Sequence, residues 1–123
     1  MPYSPGGGAD FVARVYARAL TESLGQQFVV DNRGGAGGRI GTELAARAVP
    51  DGHTLYVGTP GALTILPFLQ RGVTYDALRD FTPVTLIATG PFLLLAHPSV
   101  PARSVKELIA LARAQPGRLN YAS

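Results

Sequence analysis

The sequence contains no cysteine, which excludes disulfides and thiolate metal sites. That absence leaves the compartment open, because cysteine-free chains occur in reducing and oxidising surroundings alike. Charge is scarce as well: 15% of the 123 residues are charged, Lys106 is the only lysine, and 11 basic against 8 acidic residues give a net charge of +3. The basic residues stand singly, as at Arg14, Arg18, Arg33, Arg39, Arg47 and Arg71, without a basic run or interleaved aromatics. Solvated helix faces account for them better than a nucleic-acid groove, so no nucleic-acid partner is expected. Long hydrophobic runs are missing too. The longest, in TLIATGPFLLLAHP, is broken by Gly90 and Pro91 and is too short to span a bilayer, so no membrane insertion is expected. No secretion signal, a basic-then-apolar segment with a small-residue cleavage site, is visible ahead of Pro2. His53 and His97 have no carboxylate or thiol at a telling spacing, and Ser4 and Ser123 lack the G-x-S-x-G setting of a nucleophile elbow. No catalytic residue, metal site or cofactor is expected.

What is present is apolar patterning punctuated by glycine and proline. A hydrophobic content of 46% with low charge is the opposite of a disordered composition. In ADFVARVYARALTESLG, the residues Phe11, Val12, Val15, Tyr16, Ala19, Leu20 and Leu24 form a helical stripe opposite Arg14, Arg18 and Glu22. Asp10 is placed to cap this helix and Gly25 to end it. QFVVDN and HTLYVGT read as strands. GTELAARAV reads as a helix stopped by Pro50-Asp51-Gly52, and PGALTILPFL as a short helix or turn limited by Pro60 and Pro67. FTPVTLIAT and PFLLLAH are further apolar runs. Ser104 and Glu107 have capping-box spacing at the start of a last helix, which Gln115-Pro116-Gly117 ends before RLNYAS starts another strand. Strand, glycine loop and helix in repetition predict an α/β fold with a mainly parallel sheet. Ligands of such sheets sit where loops run into helix N-termini.

Two loops and one corner occupy that kind of position. PGGGAD exposes main-chain N–H groups at a helix N-terminus, where a carboxylate or phosphate can dock; equally, glycines there can serve a tight turn that binds nothing. The P-loop pattern is absent. The dinucleotide fingerprint fails as well, with Phe11 or Ile40 where its last glycine belongs. A small carboxylate therefore fits better than a nucleotide. NRGGAGGRIG reads first as a place where two backbones pass closely, and second as another anion contact. Asn32 and Arg33 can turn toward ligand or toward the sheet edge.

PYSPGGGADFVAR resembles the signature of receptors of tripartite tricarboxylate transporters, periplasmic solute-binding proteins that usually show Pro-Tyr/Phe-Pro/Ala-x-Gly-Gly-x-Thr/Ser-Asp here. The likeness continues through LGQQFVVDNRGGAGGRIGTELAARAVPDGHTLYVGTPG, YDALRDFTPVTLIA and HPSVPARSVKELIALARAQPGRLNYAS. It implies a lobe of the type II periplasmic-binding-protein fold, the Venus flytrap, in a non-enzymatic receptor. Such a receptor captures a small carboxylate in the periplasm and hands it to the membrane subunits of the transporter. Carried onto this chain, the ligand-binding residues are Tyr3, Ser4, Gly6, Gly7, Gly8, Ala9 and Asp10 from the first loop. Thr59, Gly61 and Ala62 follow from the corner after LYVG, and Ser123 from a second-lobe loop. Ala9 departs from the usual Thr or Ser, and Leu66 from a common Asn. By the same resemblance, residues 1–118 correspond to part of a first lobe and 119–123 to the start of a second. The chain then reads as a fragment lacking the first strand and most of the second lobe. The alternative is an α/β nucleotide- or phosphate-binding domain of an enzyme, supported by the glycine loops alone. A third reading is an interaction protein.

Overall fold

The computed structural model describes residues 1–91 and 93–120. Helices α1 (Gly8–Leu24), α2 (Arg39–Ala46), α3 (Leu66–Leu69) and α4 (Val105–Ala114) are joined by irregular segments and turns. Two compact units divide the chain, Met1–Thr89 and Gly90–Ser123.

In the first unit, α1 begins where the glycine run ends. Its N-cap is Gly7, which carries no capping side chain. Asp10 thus lies inside the first turn rather than at the cap, and its carboxylate reaches back to the Gly6 N–H at 3.0 Å. This resembles the returning half of a capping box, extended by one residue. Gly25, left-handed at φ 63°, closes the helix by donating to the Thr21 carbonyl. Thr21 Oγ1 then accepts the Phe28 N–H at 3.0 Å, fixing the chain's return along α1. A tight turn, Ala36–Gly38, leads into α2. Before α3, the segment Gly61–Ile65 winds as a widened π-type turn. Pro67 follows it, where a proline lacks its donor and its ring crowds the carbonyl four residues earlier, as a regular α-turn would not allow.

The core is small and gathers around the chain start, the α2 N-terminus and the Gly61–Leu66 turn. Pro2, Ala13, Thr42, Ala62, Leu66 and Tyr75 are buried. Thr42 Oγ1 donates to the Gly38 carbonyl and shares a 2.6 Å hydrogen bond with the Tyr56 hydroxyl. Burial pushes the Tyr56 phenol up to about 12. Phe81 closes this side, its ring 4.9 Å from Tyr56 and edge-on to Tyr75.

The expected mainly parallel sheet is not there: no described residue belongs to a strand. QFVVDN, HTLYVGT, FTPVTLIAT and the described part of PFLLLAH have no regular secondary structure and build no ladder. One parallel-type exchange exists, in which the Met1 amine donates to the Asp31 carbonyl and the Arg33 N–H to the Met1 carbonyl. It goes no further as a ladder. The physical reason is that β-propensity measures fit to a pleated, packed surface rather than an intrinsic backbone preference. Among the described residues these apolar side chains find no such surface: Val29 is 78% exposed, Leu86 79% and Leu95 84%. The apolar stripe of α1 is likewise exposed at Phe11, Val15, Tyr16 and Leu24.

In the second unit, α4 starts as its sequence predicts. Ser104 Oγ accepts the Glu107 N–H, and the Glu107 carboxylate returns to the N–H of Arg103, one residue earlier than the standard box.

Candidate functional site

The loop Tyr3–Asp10 is built around one buried carboxylate. Asp10 is 4% exposed. Its Oδ2 accepts from the Gly6 N–H at 3.0 Å and from Arg14 Nε at 2.9 Å, and its Oδ1 accepts from Asn32 Nδ2 at 2.9 Å. Asn32 Nδ2 also donates to the Tyr3 carbonyl at 3.0 Å, while Asn32 Oδ1 accepts from Arg14 Nη2 at 3.1 Å. The Arg14 guanidinium, then the Gly6 amide, then the Asn32 amide hold the Asp10 carboxyl far below the usual carboxylate range. This closed network ties both ends of the glycine run to the body of the protein.

The run itself faces outward. Gly6, Gly7 and Gly8 are exposed, and a Cβ added to any of them meets no atom within 4 Å. Gly6 needs its glycine for a φ of +92°; among the described residues nothing requires one at Gly7 or Gly8. The first intrahelical bond of α1 runs from the Phe11 N–H to the Gly7 carbonyl, so the amides of Gly8, Ala9 and Asp10 precede it. With no side-chain cap, they are donors at the positive end of a helix.

The corner after LYVG is joined to this loop. Tyr3 and Thr59 share a hydroxyl hydrogen bond of 2.5 Å, and Gly61 lies beneath it, where an added Cβ would stand 3.6 Å from the Tyr3 hydroxyl. Ala62 is fully buried, and its carbonyl accepts from the Tyr75 hydroxyl. Ala62 therefore supports the corner from inside. Ser4 is exposed and rests against Gly34 of the second glycine loop. Ala9 is half-buried, and Leu66 points into the core, its Cδ1 3.3 Å from a Cβ placed on Gly37. Ser123 lies outside the described residues. The structure thus brings Tyr3, Ser4, Gly6, Gly7, Gly8, Ala9, Asp10, Thr59, Gly61 and Ala62 into one region of the first unit.

Sequence reasoning missed Arg14 and left Asn32 undecided. The Asp10–Arg14 spacing of four residues was a usable signal for a helical ion pair. Asn32, distant in sequence, carries no such signal. Arg33, the other open residue, pairs with Asp31 at the surface. His97 Nδ1 meets the Ser99 hydroxyl at 2.8 Å, with no carboxylate partner among the described residues. Those residues also hold no cluster of metal-ligating side chains, and none of their helices is long and apolar enough to cross a membrane.

Comparison with known proteins gives a consistent set of likenesses. A family model described as the tripartite tricarboxylate transporter family receptor matches residues 12–123, which leaves the loop Tyr3–Asp10 just ahead of the match. The UPF0065 protein in the tcbD-tcbE intergenic region of Pseudomonas sp. (strain P51) is 44% identical over 123 residues, covering 100% of this chain and 36% of that protein. Protein BugT of Bordetella pertussis is 41% identical, covering 99% of this chain and 38% of its own length. A solved structure described as that of a periplasmic transporter superposes with a TM-score of 0.82 at 34% identity, covering 98% of this chain and 40% of the other. The chain therefore spans a little over a third of the length of the curated relatives it matches.

Proposed function

This chain belongs to the tripartite tricarboxylate transporter receptor family, and on that premise we propose that it forms part of a periplasmic solute receptor whose Tyr3–Asp10 loop receives a carboxylate group. The supporting observation is the division of labour within that loop. Its only acidic side chain is bound inward by Arg14 and Asn32, while three uncapped amides at Gly8, Ala9 and Asp10 begin α1 beside open space. A carboxylate at such a terminus gains hydrogen bonds to the amides and the favourable end of the helix dipole. Gly7 and Gly8 are then explained from outside the chain, since a side chain there would occupy the ligand's space and nothing else.

In this reading Tyr3 and Thr59 lock the loop to the Thr59–Ala62 corner, and loop and corner together supply one wall of the ligand site. The receptor is not an enzyme. It captures a small acid and delivers it to the membrane subunits of its transporter. Ala9 offers the ligand no hydroxyl, which favours an acid with fewer polar substituents near its carboxylate.

Isothermal titration calorimetry of the protein against dicarboxylates, amino acids, aromatic acids and nucleotides tests this. Saturable heat with a carboxylate and none with nucleotides is expected. Tight nucleotide binding without response to any carboxylate sinks it.

A further inference from the structure

A carboxylate side chain in the first turn of a helix competes with any anion arriving at the same N-terminus. Asp10 is such a group, buried within the loop proposed to receive an acid. We infer that Arg14, oriented by Asn32, is the residue that allows this loop to accept a carboxylate, by cancelling the charge of Asp10 while leaving the terminal amides free. Arg14 is a positioning residue here and does not touch the ligand. The inference rests on the carboxylate reading above and adds to it a determinant outside the loop.

Three features carry it. Arg14 Nε lies 2.9 Å from Asp10 Oδ2, one helical turn further along α1, so a half-exposed cation pairs directly with the buried carboxylate. Asn32 ties anion to cation without adding charge, its amide nitrogen on Asp10 Oδ1 and its oxygen on Arg14 Nη2. The single loop amide that Asp10 consumes is that of Gly6, which lies outside the helix, so the amides of Gly8, Ala9 and Asp10 stay available. Among the described residues Arg14 is the one charged group hydrogen-bonded to Asp10. Without it, a buried negative charge faces the incoming acid at close range. With it, the site carries the net positive field of the helix end.

The test compares Arg14→Gln, Asp10→Asn, the double variant Asp10→Asn/Arg14→Gln, and Arg14→Lys in the protein as the cell produces it. Each is titrated with succinate, glutamate and benzoate by calorimetry, with circular dichroism to verify folding. For whichever acid binds, Arg14→Gln should weaken affinity on the order of tenfold, the effect of one poorly screened unit charge nearby. The double variant should recover to within about threefold of the unmodified protein, because the offending charge has gone with its partner. Arg14→Lys, which keeps the cation, should recover most of the affinity lost in Arg14→Gln. A purely architectural Arg14 gives a different order: the double variant then binds no better than Arg14→Gln. That result overturns the inference while leaving the carboxylate reading intact. If Arg14→Gln does not fold, the double variant is compared with Asp10→Asn: affinities within about threefold are expected, because Arg14 then has no charge to cancel, and a larger loss in the double variant overturns the inference. Absence of binding to all three acids by the unmodified protein removes the inference together with the reading beneath it.

Discussion

In the run Gly6–Gly8 an added Cβ meets no atom within 4 Å at any of the three glycines, whereas Gly34, Gly35, Gly37, Gly38 and Gly41 each have a neighbour at 3.3 Å or less. Both glycine-rich loops precede a helix, and in sequence they look alike. In the second loop glycine is required by what the chain itself places there. Gly38 lies under the Tyr3 ring, Gly34 against Ser4, and Gly41 against the backbone of Pro2 and Arg33. The second loop is thus the seat on which the first one rests. The first loop is held by hydrogen bonds and charge, through Asp10, Arg14 and Asn32, and presents its glycines to the outside. Packing fixes one loop and polar bonding the other, so the two should fail under different insults.

The largest effect on folding is expected where packing is tightest. At Gly41 a Cβ would sit 2.5 Å from the Arg33 carbonyl oxygen and 2.6 Å from Pro2 Cα, both of them backbone atoms. Gly41→Ala therefore forces the two segments apart. It should destabilise the protein by about 2–3 kcal/mol, read as a lowered urea midpoint. Because Pro2 leads directly into Tyr3, carboxylate affinity should fall as well. An unchanged midpoint would mean that the second loop is as free as the first.

Part of this contrast was legible in the sequence and part was not. The second loop reads there as a close approach of two backbones, and its contacts with Pro2, Tyr3 and Ser4 agree. The start of α4 was equally legible, because a capping box is local chemistry. The sheet was not: runs such as FTPVTLIAT carry β-branched residues, but a ladder needs a partner strand, and sequence patterning cannot certify one. Local rules predict a cap at Asp10, yet its carboxylate is also bound by Asn32, 22 positions away, which no local rule places beside it. Periodicity groups Arg14 with the solvated face of α1, where it does lie exposed, but does not show that it also pairs with Asp10. Local rules found the elements, and the polar tie between distant segments decided how the first loop is presented.

Acid should separate the loops next, with a smaller effect than Gly41→Ala. The folded Asp10 carboxyl lies well below its ordinary value of 3.8, with the Arg14 hydrogen bond as the main cause. A group depressed on folding contributes stability that is present above its unfolded pKa. That contribution is lost as pH falls from there toward the folded value. Between pH 5 and pH 2 the protein should therefore lose stability through the first loop. The protection factor of the Gly6 amide, its exchange rate corrected for the intrinsic pH dependence, should fall, while that of the Gly38 amide, bonded to the Gly35 carbonyl in the second loop, changes little. Asp10→Asn should remove most of this acid sensitivity. An equal fall in protection at both amides would show that the two loops share one support.

The smallest effect on folding is expected from Gly8→Ala. Gly8 is the first residue of α1, exposed, and a Cβ there meets nothing within 4 Å. Alanine suits a helix better than glycine and narrows the unfolded ensemble, so stability should change by no more than about 0.5–1 kcal/mol, in the stabilising direction. Carboxylate affinity should move the other way, falling about tenfold if the methyl group displaces a single charge-assisted hydrogen bond to the helix amides. This divergence is the sharpest form of the comparison, because a glycine kept for the chain's own packing loses stability and binding together when it is replaced. A glycine kept for a ligand loses binding alone. Were Gly8→Ala to leave affinity untouched, the open space beside Gly8 would not be the ligand's, and the receiving amides would have to be sought elsewhere along the Tyr3–Thr59 junction.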